Sequence, residues 1–324
     1  MKKTALISLF FLFMLSSLAA MPQKESADPS LWPEEEVTVI CPWAVGGVAD
    51  IVNRSLAPHL EKELGVPVIA SNELGAGGNV ALTNYLHSDD MYELILGGEG
   101  GFAISPYVED PGVIRFTYDD FEPVINLYSS IMVLAANSKT GIDDLSGLIE
   151  YGRNNRITVA VNGVSGAEAF LVRALFDEIG LEYDLINYNG ANLAVRAAAK
   201  GETVLSVSHQ SQAASAVEDS SLTPILVFDG KRSDSHPFES VPALSELGYD
   251  TYYPNTCALF VRKGTDAGII ERLQKAYLSA LSEEDVKALY EKLIIEMDPM
   301  VGHDYDAHIS NVSKIVKGAL DEER

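Results

Sequence analysis

The fold of this chain is decided by two stretches, Pro42-Trp43-Ala44-Val45-Gly46-Gly47-Val48-Ala49-Asp50 and Asn72-Glu73-Leu74-Gly75-Ala76-Gly77-Gly78-Asn79. Each lies between a short β-branched run, at 37–41 or 66–70, and a segment with helical spacing, at 49–64 or 79–87. Each stretch therefore predicts a glycine loop that leads from a strand into a helix N-terminus. Unpaired backbone N–H groups and the helix dipole stabilise a carboxylate or phosphate at such a position. Together the loops indicate one anion-binding mouth, although either loop alone also fits a purely structural turn.

Strand and helix patterns alternate along the rest of the chain. Apolar, β-branched runs occur at 37–41, 66–70, 93–96, 131–135, 157–161, 222–228 and 258–261, with helical runs between them. This order predicts an α/β fold with mainly parallel sheets. Apolar residues spaced by three and four predict a helix over 269–281, and Glu283-Glu284-Asp285 predicts the start of the next one. Neither glycine loop matches a Walker A or dinucleotide fingerprint.

The N-terminus has the pattern of an export signal. Met1-Lys2-Lys3 precedes an apolar stretch at 5–15 and small residues up to Ala20, which predicts a secretory signal peptide over 1–19, with cleavage after Ala20 as the alternative. The stretch is too short for a membrane span, so no membrane insertion is expected after cleavage. Residues 20–35, rich in Pro, Ser and Glu, predict a flexible lead-in. The mature protein is expected outside the cytoplasm, in the periplasm or an equivalent compartment.

The composition limits the classes of molecule that this protein is expected to bind. The 324 residues are 47% hydrophobic, which is enough for one large or two medium domains. Forty-seven acidic residues against 23 basic ones give a net charge of −24, which argues against nucleic acid and anionic membranes as partners. An anionic ligand would be held by local dipoles against that field. The two cysteines, Cys41 and Cys257, could form a disulfide after export or remain free.

The sequences of the two loops closely resemble those of the substrate-binding proteins of tripartite tricarboxylate transporters, the TctC or Bug family. The resemblance continues through Phe121-Glu122-Pro123-Val124, Asn162-Gly163-Val164-Ser165-Gly166, Val241-Pro242-Ala243-Leu244 and Arg262-Lys263-Gly264-Thr265. It implies the two-lobed type II periplasmic binding-protein fold with a ligand cleft between the lobes. The expected lobe I is 36–137 plus 256–324, lobe II is 138–255, and two crossover strands form the hinge. The resemblance also implies a monomer that serves membrane permease subunits.

The family resemblance suggests the site residues. In this family, backbone groups and ordered waters at the first-lobe loops typically hold the ligand carboxylate, a role that falls here on Trp43, Ala44, Gly46, Gly47, Gly77 and Gly78. Trp43 could stack on the ligand or pack against its lobe. Asp50 could contact the ligand or complement the helix dipole. The second-lobe loops contribute Ser165, Gly166 and Tyr188, and His209 either donates a hydrogen bond in the cleft or is structural.

The third loop departs from the family. Where the family often has Thr-Ser-Gly-Thr-His, this chain has Gly98-Glu99-Gly100-Gly101-Phe102, which places Glu99 and Gly100 in the cleft. A carboxylate beside a carboxylate ligand would repel it by about 1 to 4 kcal/mol. We therefore hypothesise that Glu99 pairs with a positive group on a zwitterionic or cationic ligand, such as an amino acid. The alternative is that Glu99 points to solvent.

The sequence offers little support for catalysis. It contains no Gly-x-Ser-x-Gly elbow and no carboxylate pair whose spacing requires acid–base work. His303 and His308 are five residues apart among acidic neighbours and are expected in a surface turn rather than a metal site. No metal, cofactor or enzymatic activity is expected. The sequence favours an extracytoplasmic solute-binding protein, with a ligand sensor for a receptor kinase as the alternative and a secreted hydrolase or isomerase as the weaker one.

Overall fold

The computed structural model describes residues 31–109 and 114–322. The predicted signal peptide at 1–19 lies outside the described residues, as do residues 20–30 of the predicted lead-in. From Pro33 onward the chain forms one compact unit. Within the described ranges, no helix combines the length and the apolar character that a membrane crossing requires.

The described residues form ten strands and ten α-helices, which alternate over much of the chain and end in three consecutive helices. The strands are β1 Val37–Cys41, β2 Val68–Asn72, β3 Glu93–Gly97, β4 Phe121–Ser130, β5 Met132–Asn137, β6 Ile157–Val161, β7 Tyr183–Asn187, β8 Leu205–His209, β9 Leu222–Val227 and β10 Asn255–Arg262. The helices are α1 Val48–Leu64, α2 Asn79–His87, α3 Ser105–Val108, α4 Leu145–Gly152, α5 Ala167–Glu178, α6 Ala191–Lys200, α7 Gln210–Glu218, α8 Ala267–Leu281, α9 Glu284–Leu293 and α10 His303–Glu322.

The strands make two five-stranded sheets with the same plan. The first has the order β2-β1-β3-β10-β4, and the second has the order β7-β6-β8-β5-β9. In the first sheet β1 is parallel to β2 and β3, whereas β10 is antiparallel to β3 and β4. In the second sheet β6 is parallel to β7 and β8, whereas β5 is antiparallel to β8 and β9. The α/β class is confirmed, and each sheet is mixed rather than uniformly parallel.

The chain passes between the sheets at the β4–β5 junction and again before β10. Only Ile131 separates β4, in the first sheet, from β5, in the second. The expected lobe boundary after residue 137 assigns β5 to lobe I, but β5 pairs with β8 and β9 of the second sheet. The crossover therefore lies about six residues earlier than the sequence indicated, because β-propensity does not reveal which sheet a strand joins.

Aromatic side chains fix the segment that follows β3. Phe102 lies in a one-turn π-helical segment, Gly100–Ile104, and packs at ring-centroid distances of 5.0 Å from Phe121 and 4.6 Å from Phe260. Edge and tilted ring contacts of this kind stabilise a core beyond the area they bury. The third loop is thereby anchored on β4 and β10 of the first sheet.

Candidate functional site

One cavity of about 530 Å³ lies where the ends of the parallel strands of both sheets meet. The strands β1, β2, β3, β6, β7 and β8 each end in a segment that contributes residues to its wall. Ligands of open α/β sheets bind at such carboxyl ends. Eleven of the predicted site residues line it: Trp43, Ala44, Gly47, Gly77, Gly78, Glu99, Gly100, Ser165, Gly166, Tyr188 and His209. Gly46 and Asp50 are not in its lining.

Asp50 shapes the first loop from within. Its Oδ2 accepts the Gly46 amide N–H at 2.9 Å, and its Oδ1 pairs with Arg54 Nε at 2.9 Å. Burial disfavours its charge, but the hydrogen bonds from Arg54 and Gly46 outweigh this effect and hold the pKa of Asp50 below its ordinary value. Gly46 has φ of +78°, which only glycine adopts easily. Asp50 therefore stabilises the loop, which favours its structural role over ligand contact. Ligand contact by Gly46 and Asp50 stays a prediction, and neither residue is among the lining residues of the cavity.

The two first-lobe loops are joined to each other. Asn72 Nδ2 donates to the Trp43 carbonyl at 3.0 Å, and the Glu73 N–H donates to the Cys41 carbonyl at 3.0 Å. Trp43 is half-buried and lies on the cavity wall. Stacking of its ring on a ligand stays a prediction.

Free amides at the cavity come from helix starts rather than from the glycines themselves. The N–H groups of Gly47 and Gly78 donate to the carbonyls of Ala44 and Gly75, at 3.0 and 2.9 Å. Because an α-helix leaves its first N–H groups without a partner, donors are left at the first turns of α1, α5 and α6. Each of these turns lies on the cavity wall, through the lining residues Val48, Ala49, Ala167 and Ala191. Three helix dipoles thus place their positive ends at one cavity.

Glu99 is bound by its own chain. Its side chain is fully buried, and its Oε1 receives Thr256 Oγ1 and His308 Nε2, each at 2.5 Å. The Thr256 N–H donates at 3.1 Å, and Asn255 Nδ2 donates to Oε2 at 3.3 Å. These donors occupy the carboxylate from β10 and α10. Because the chain's own groups already hydrogen-bond to this carboxylate, the structure does not support the hypothesis that Glu99 pairs with a ligand cation. The alternative that Glu99 points to solvent is wrong, since the side chain is fully buried. His308 lies in α10 rather than in the expected surface turn.

The glycines of the third loop permit close packing. A Cβ on Gly98 would lie 2.6 Å from the Thr256 carbonyl oxygen, and one on Gly101 would lie 2.6 Å from Leu82 Cδ1. Gly100 faces the other lobe: its added Cβ would be 3.8 Å from the Ala167 nitrogen. The loop is therefore a thin wall between β10 and the start of α5.

The lobes touch around the cavity. Besides the Gly100 contact, a Cβ on Gly163 would lie 3.7 Å from Gly77 Cα, and Asn192 Nδ2 donates to the Gly46 carbonyl at 3.4 Å. A Cβ on Gly190 would also lie 3.7 Å from Ala44 Cβ, so loops of one sheet meet loops of the other at four points. This is the arrangement of a closed cleft, in which a ligand would be screened from water.

His209 connects the cavity to the crossover. It precedes α7, and its Nδ1 lies 2.6 Å from Ser130 Oγ, at the last residue of β4. Ser130 Oγ also donates to the Asn255 carbonyl, at 3.3 Å, where β10 begins. Burial lowers the pKa of His209 to about 4, so the ring is neutral at neutral pH. His209 therefore has a structural role at the crossover as well as a place on the cavity wall.

Sequence reasoning missed Glu168 as a site residue. It lies in the first turn of α5, is 6% exposed and lines the cavity. Burial raises the pKa of Glu168 to about 7, opposed by a hydrogen bond from its own backbone N–H. An acidic residue in a first helical turn is ordinarily read as dipole complementation, which hid this residue. The crossover residues Tyr128, Met132, Asn255 and Thr256 also line the cavity without any local signal.

The Lys, Arg, Asp and Glu side chains that the structure places on the cavity wall are all glutamates. Among residues 31–109 and 114–322, the lining includes Glu99, Glu109 and Glu168 but no lysine or arginine. Attraction for an anion therefore comes from backbone dipoles and not from side-chain cations.

The remaining reactive groups lie elsewhere. Cys41 and Cys257 are buried free thiols, so the disulfide that the sequence allowed is not formed. Burial raises the pKa of Cys41 to about 12, which keeps the thiol protonated. A surface group of His59, Glu283 and Asp285 has ligand atoms within 4.8 Å of one another, but the two imidazole nitrogens already face different carboxylates, at 4.0 and 3.0 Å.

Comparison with known proteins agrees with this architecture. The model of the tripartite tricarboxylate transporter family receptor, TctC, matches residues 52–320. The chain is 28% identical to BugT of Bordetella pertussis over 291 residues, covering 88% of this chain and 87% of BugT. MatC of Rhodopseudomonas palustris, solved with bound malate, has a TM-score of 0.77 at 23% identity, covering 90% of this chain and 99% of MatC.

A second structure from that organism, Rpa4515 with adipate, has a TM-score of 0.77 at 22% identity, covering 89% of this chain and 98% of the other. These similarities confirm the predicted two-lobed binding-protein fold. The family model spans most of the chain, from α1 to the last described helix. The protein belongs to the TctC family, the receptors of tripartite tricarboxylate transporters.

Proposed function

We propose that the protein is an extracytoplasmic receptor that closes over a small carboxylate and delivers it to the permease of a tripartite tricarboxylate-type transporter. One observation carries the proposal: the first turns of α1, α5 and α6, where helical amides have no partner within the helix, line a cavity whose described wall residues include no lysine or arginine. Such a site binds an anion through fixed dipoles that need little reorganisation. The carboxylates bound to MatC and Rpa4515 support the same ligand class.

Closure of the two lobes explains how the permease distinguishes the ligand-bound receptor from the empty one. Loops of both lobes touch around the cavity, and the chain crosses between the sheets beside Ser130 and Asn255. A ligand that contacts both lobes favours the closed form by its differential affinity for it, and the permease then binds that form. We place the moving lobes on either side of this crossover and expect no chemical change in the ligand.

The proposal is tested by removing one amide without removing a helix. Ala191 is the first residue of α6, where proline is tolerated, so Ala191→Pro deletes one N–H donor at the cavity wall. A charge-assisted hydrogen bond contributes about 1.5 to 3 kcal/mol, which corresponds to at least about tenfold in affinity. We expect that loss in calorimetric titrations with the carboxylate that native mass spectrometry identifies in the purified protein.

Ala267→Pro is the matched control, because Ala267 is the exposed first residue of α8 and is not part of the cavity wall. It should leave affinity unchanged. Equal affinity in both variants, or a protein that binds no carboxylate, would contradict the proposal. Recovery of a chemically altered ligand would indicate an enzyme instead.

A further inference from the structure

We infer that Glu168 binds an ammonium group of the ligand, so that the preferred ligand is a small amino acid or other amino-carboxylate. This inference rests on the proposed function, because it assigns the second end of a ligand whose carboxylate lies at the free amides. It replaces Glu99, the residue that the sequence suggested for this role.

The two buried glutamates of the cavity wall have different surroundings. Glu99 is bound by Thr256, Asn255 and His308. Glu168 is 6% exposed and forms no ion pair within residues 31–109 and 114–322. Within the part of the chain that the structure describes, the one donor to its carboxyl group is its own backbone N–H. A buried carboxylate without a cation is unfavourable, and natural proteins pair such groups.

The pKa of Glu168 agrees with that description. Burial is the dominant cause of its rise to about 7, and no cationic side chain lowers it. The Tyr253 hydroxyl, on a residue that is 3% exposed, has no hydrogen-bond partner within the described chain, and burial together with the charges of Glu99 and Glu168 raises its pKa. The Glu168 carboxyl and the Tyr253 hydroxyl are therefore polar groups that the described chain does not fully pair, and their net charge is negative. They lie beside a cavity whose wall includes the N-termini of three helices.

The position of Glu168 in the cavity favours a ligand that carries both a negative and a positive charge. Glu168 lies in the first turn of α5, and the Gly77 loop and Gly100 of the first lobe contact the loop that precedes this turn. A carboxylate at the α1 amides Val48 and Ala49 and an ammonium at Glu168 would link the two lobes, because α1 follows a strand of the first sheet and α5 follows a strand of the second. A dicarboxylate in the same pose would instead bring a second negative charge to an unpaired buried carboxylate.

The test compares ligand pairs that share a carbon skeleton. Calorimetric titration of the ligand-stripped protein uses aspartate with malate and succinate, glutamate with glutarate, and 4-aminobutyrate with butyrate. We expect the wild-type protein to bind the ammonium-bearing member of at least one pair at least tenfold more tightly. Glu168→Gln keeps the size and one acceptor oxygen but removes the negative charge. It should abolish the preference for the ammonium-bearing ligand, while the deaminated ligand still binds. Glu202→Gln, at an exposed glutamate of the second lobe, is the control.

The outcomes separate the inference from the proposed function. Tighter wild-type binding of the deaminated members would overturn the inference and leave the carboxylate receptor standing. So would an ammonium preference that survives in Glu168→Gln, since another group would then recognise the amine. A protein that binds no member of any pair, and from which native mass spectrometry releases no carboxylate, would overturn both. Thermal melting of each variant establishes that it is folded.

Discussion

Replacing Glu168 by glutamine should stabilise the ligand-free protein at neutral and alkaline pH. The pKa of this carboxyl is about 7 in the folded protein against an ordinary value of 4.5, so the folded state holds the proton more tightly than the unfolded one. Stability therefore falls as pH rises from 4.5 through 7. This difference in pKa corresponds to a loss of about 3 kcal/mol in the free energy of unfolding above pH 7. The neutral amide of glutamine avoids that loss.

The assay is urea unfolding of ligand-stripped wild type, Glu168→Gln and the exposed control Glu202→Gln between pH 5 and pH 8. The difference in the free energy of unfolding between Glu168→Gln and wild type should grow by about 3 kcal/mol over that range. Equal slopes of stability against pH in these two proteins would refute the claim that Glu168 is desolvated and unpaired. A change of the same size in Glu202→Gln would show that the effect is not specific to the buried site.

Three further changes probe the surroundings of the cavity. Burial lowers the pKa of His209 to about 4, so the unfolded state binds a proton at a higher pH than the folded state does. The wild-type protein should therefore lose up to about 3 kcal/mol of stability as the pH falls from 6.5 to 4. In urea titrations at acid pH, His209→Asn should lose less stability over the same range. Glu99→Gln should destabilise the protein by about 1 to 3 kcal/mol in the same assay at pH 7, opposite in sign to Glu168→Gln, because it disrupts a buried hydrogen-bond network. Gly98→Ala places a Cβ 2.6 Å from a backbone oxygen and should cost about 1 to 3 kcal/mol, while Gly318→Ala, in an open helical position, should raise the melting temperature.

Local features were predictable because they depend on neighbouring residues. The spacing predicted α2 over 79–87 and strands over 37–41 and 157–161 with the bounds that the structure has. The glycine loops were placed correctly, since positive φ at Gly46 and Gly78 is a property of the turn itself. By contrast, β4 contains Pro123, which weakens any strand prediction, and it forms an edge of its sheet.

The sequence by itself determined the alternation of strands and helices, the loops that begin α1 and α2, and the acidic character of the chain, because these follow from local propensity and composition. Tertiary structure alone decided how the cleft is charged. Glu99 forms hydrogen bonds with Thr256 and His308, which are 157 and 209 residues away along the chain. Glu168 has no such partner among the described residues, because folding buries it at the start of α5, where the described cavity wall has no lysine or arginine. Two glutamates that look alike in sequence thus differ in the fold, since burial and pairing depend on contacts between distant segments.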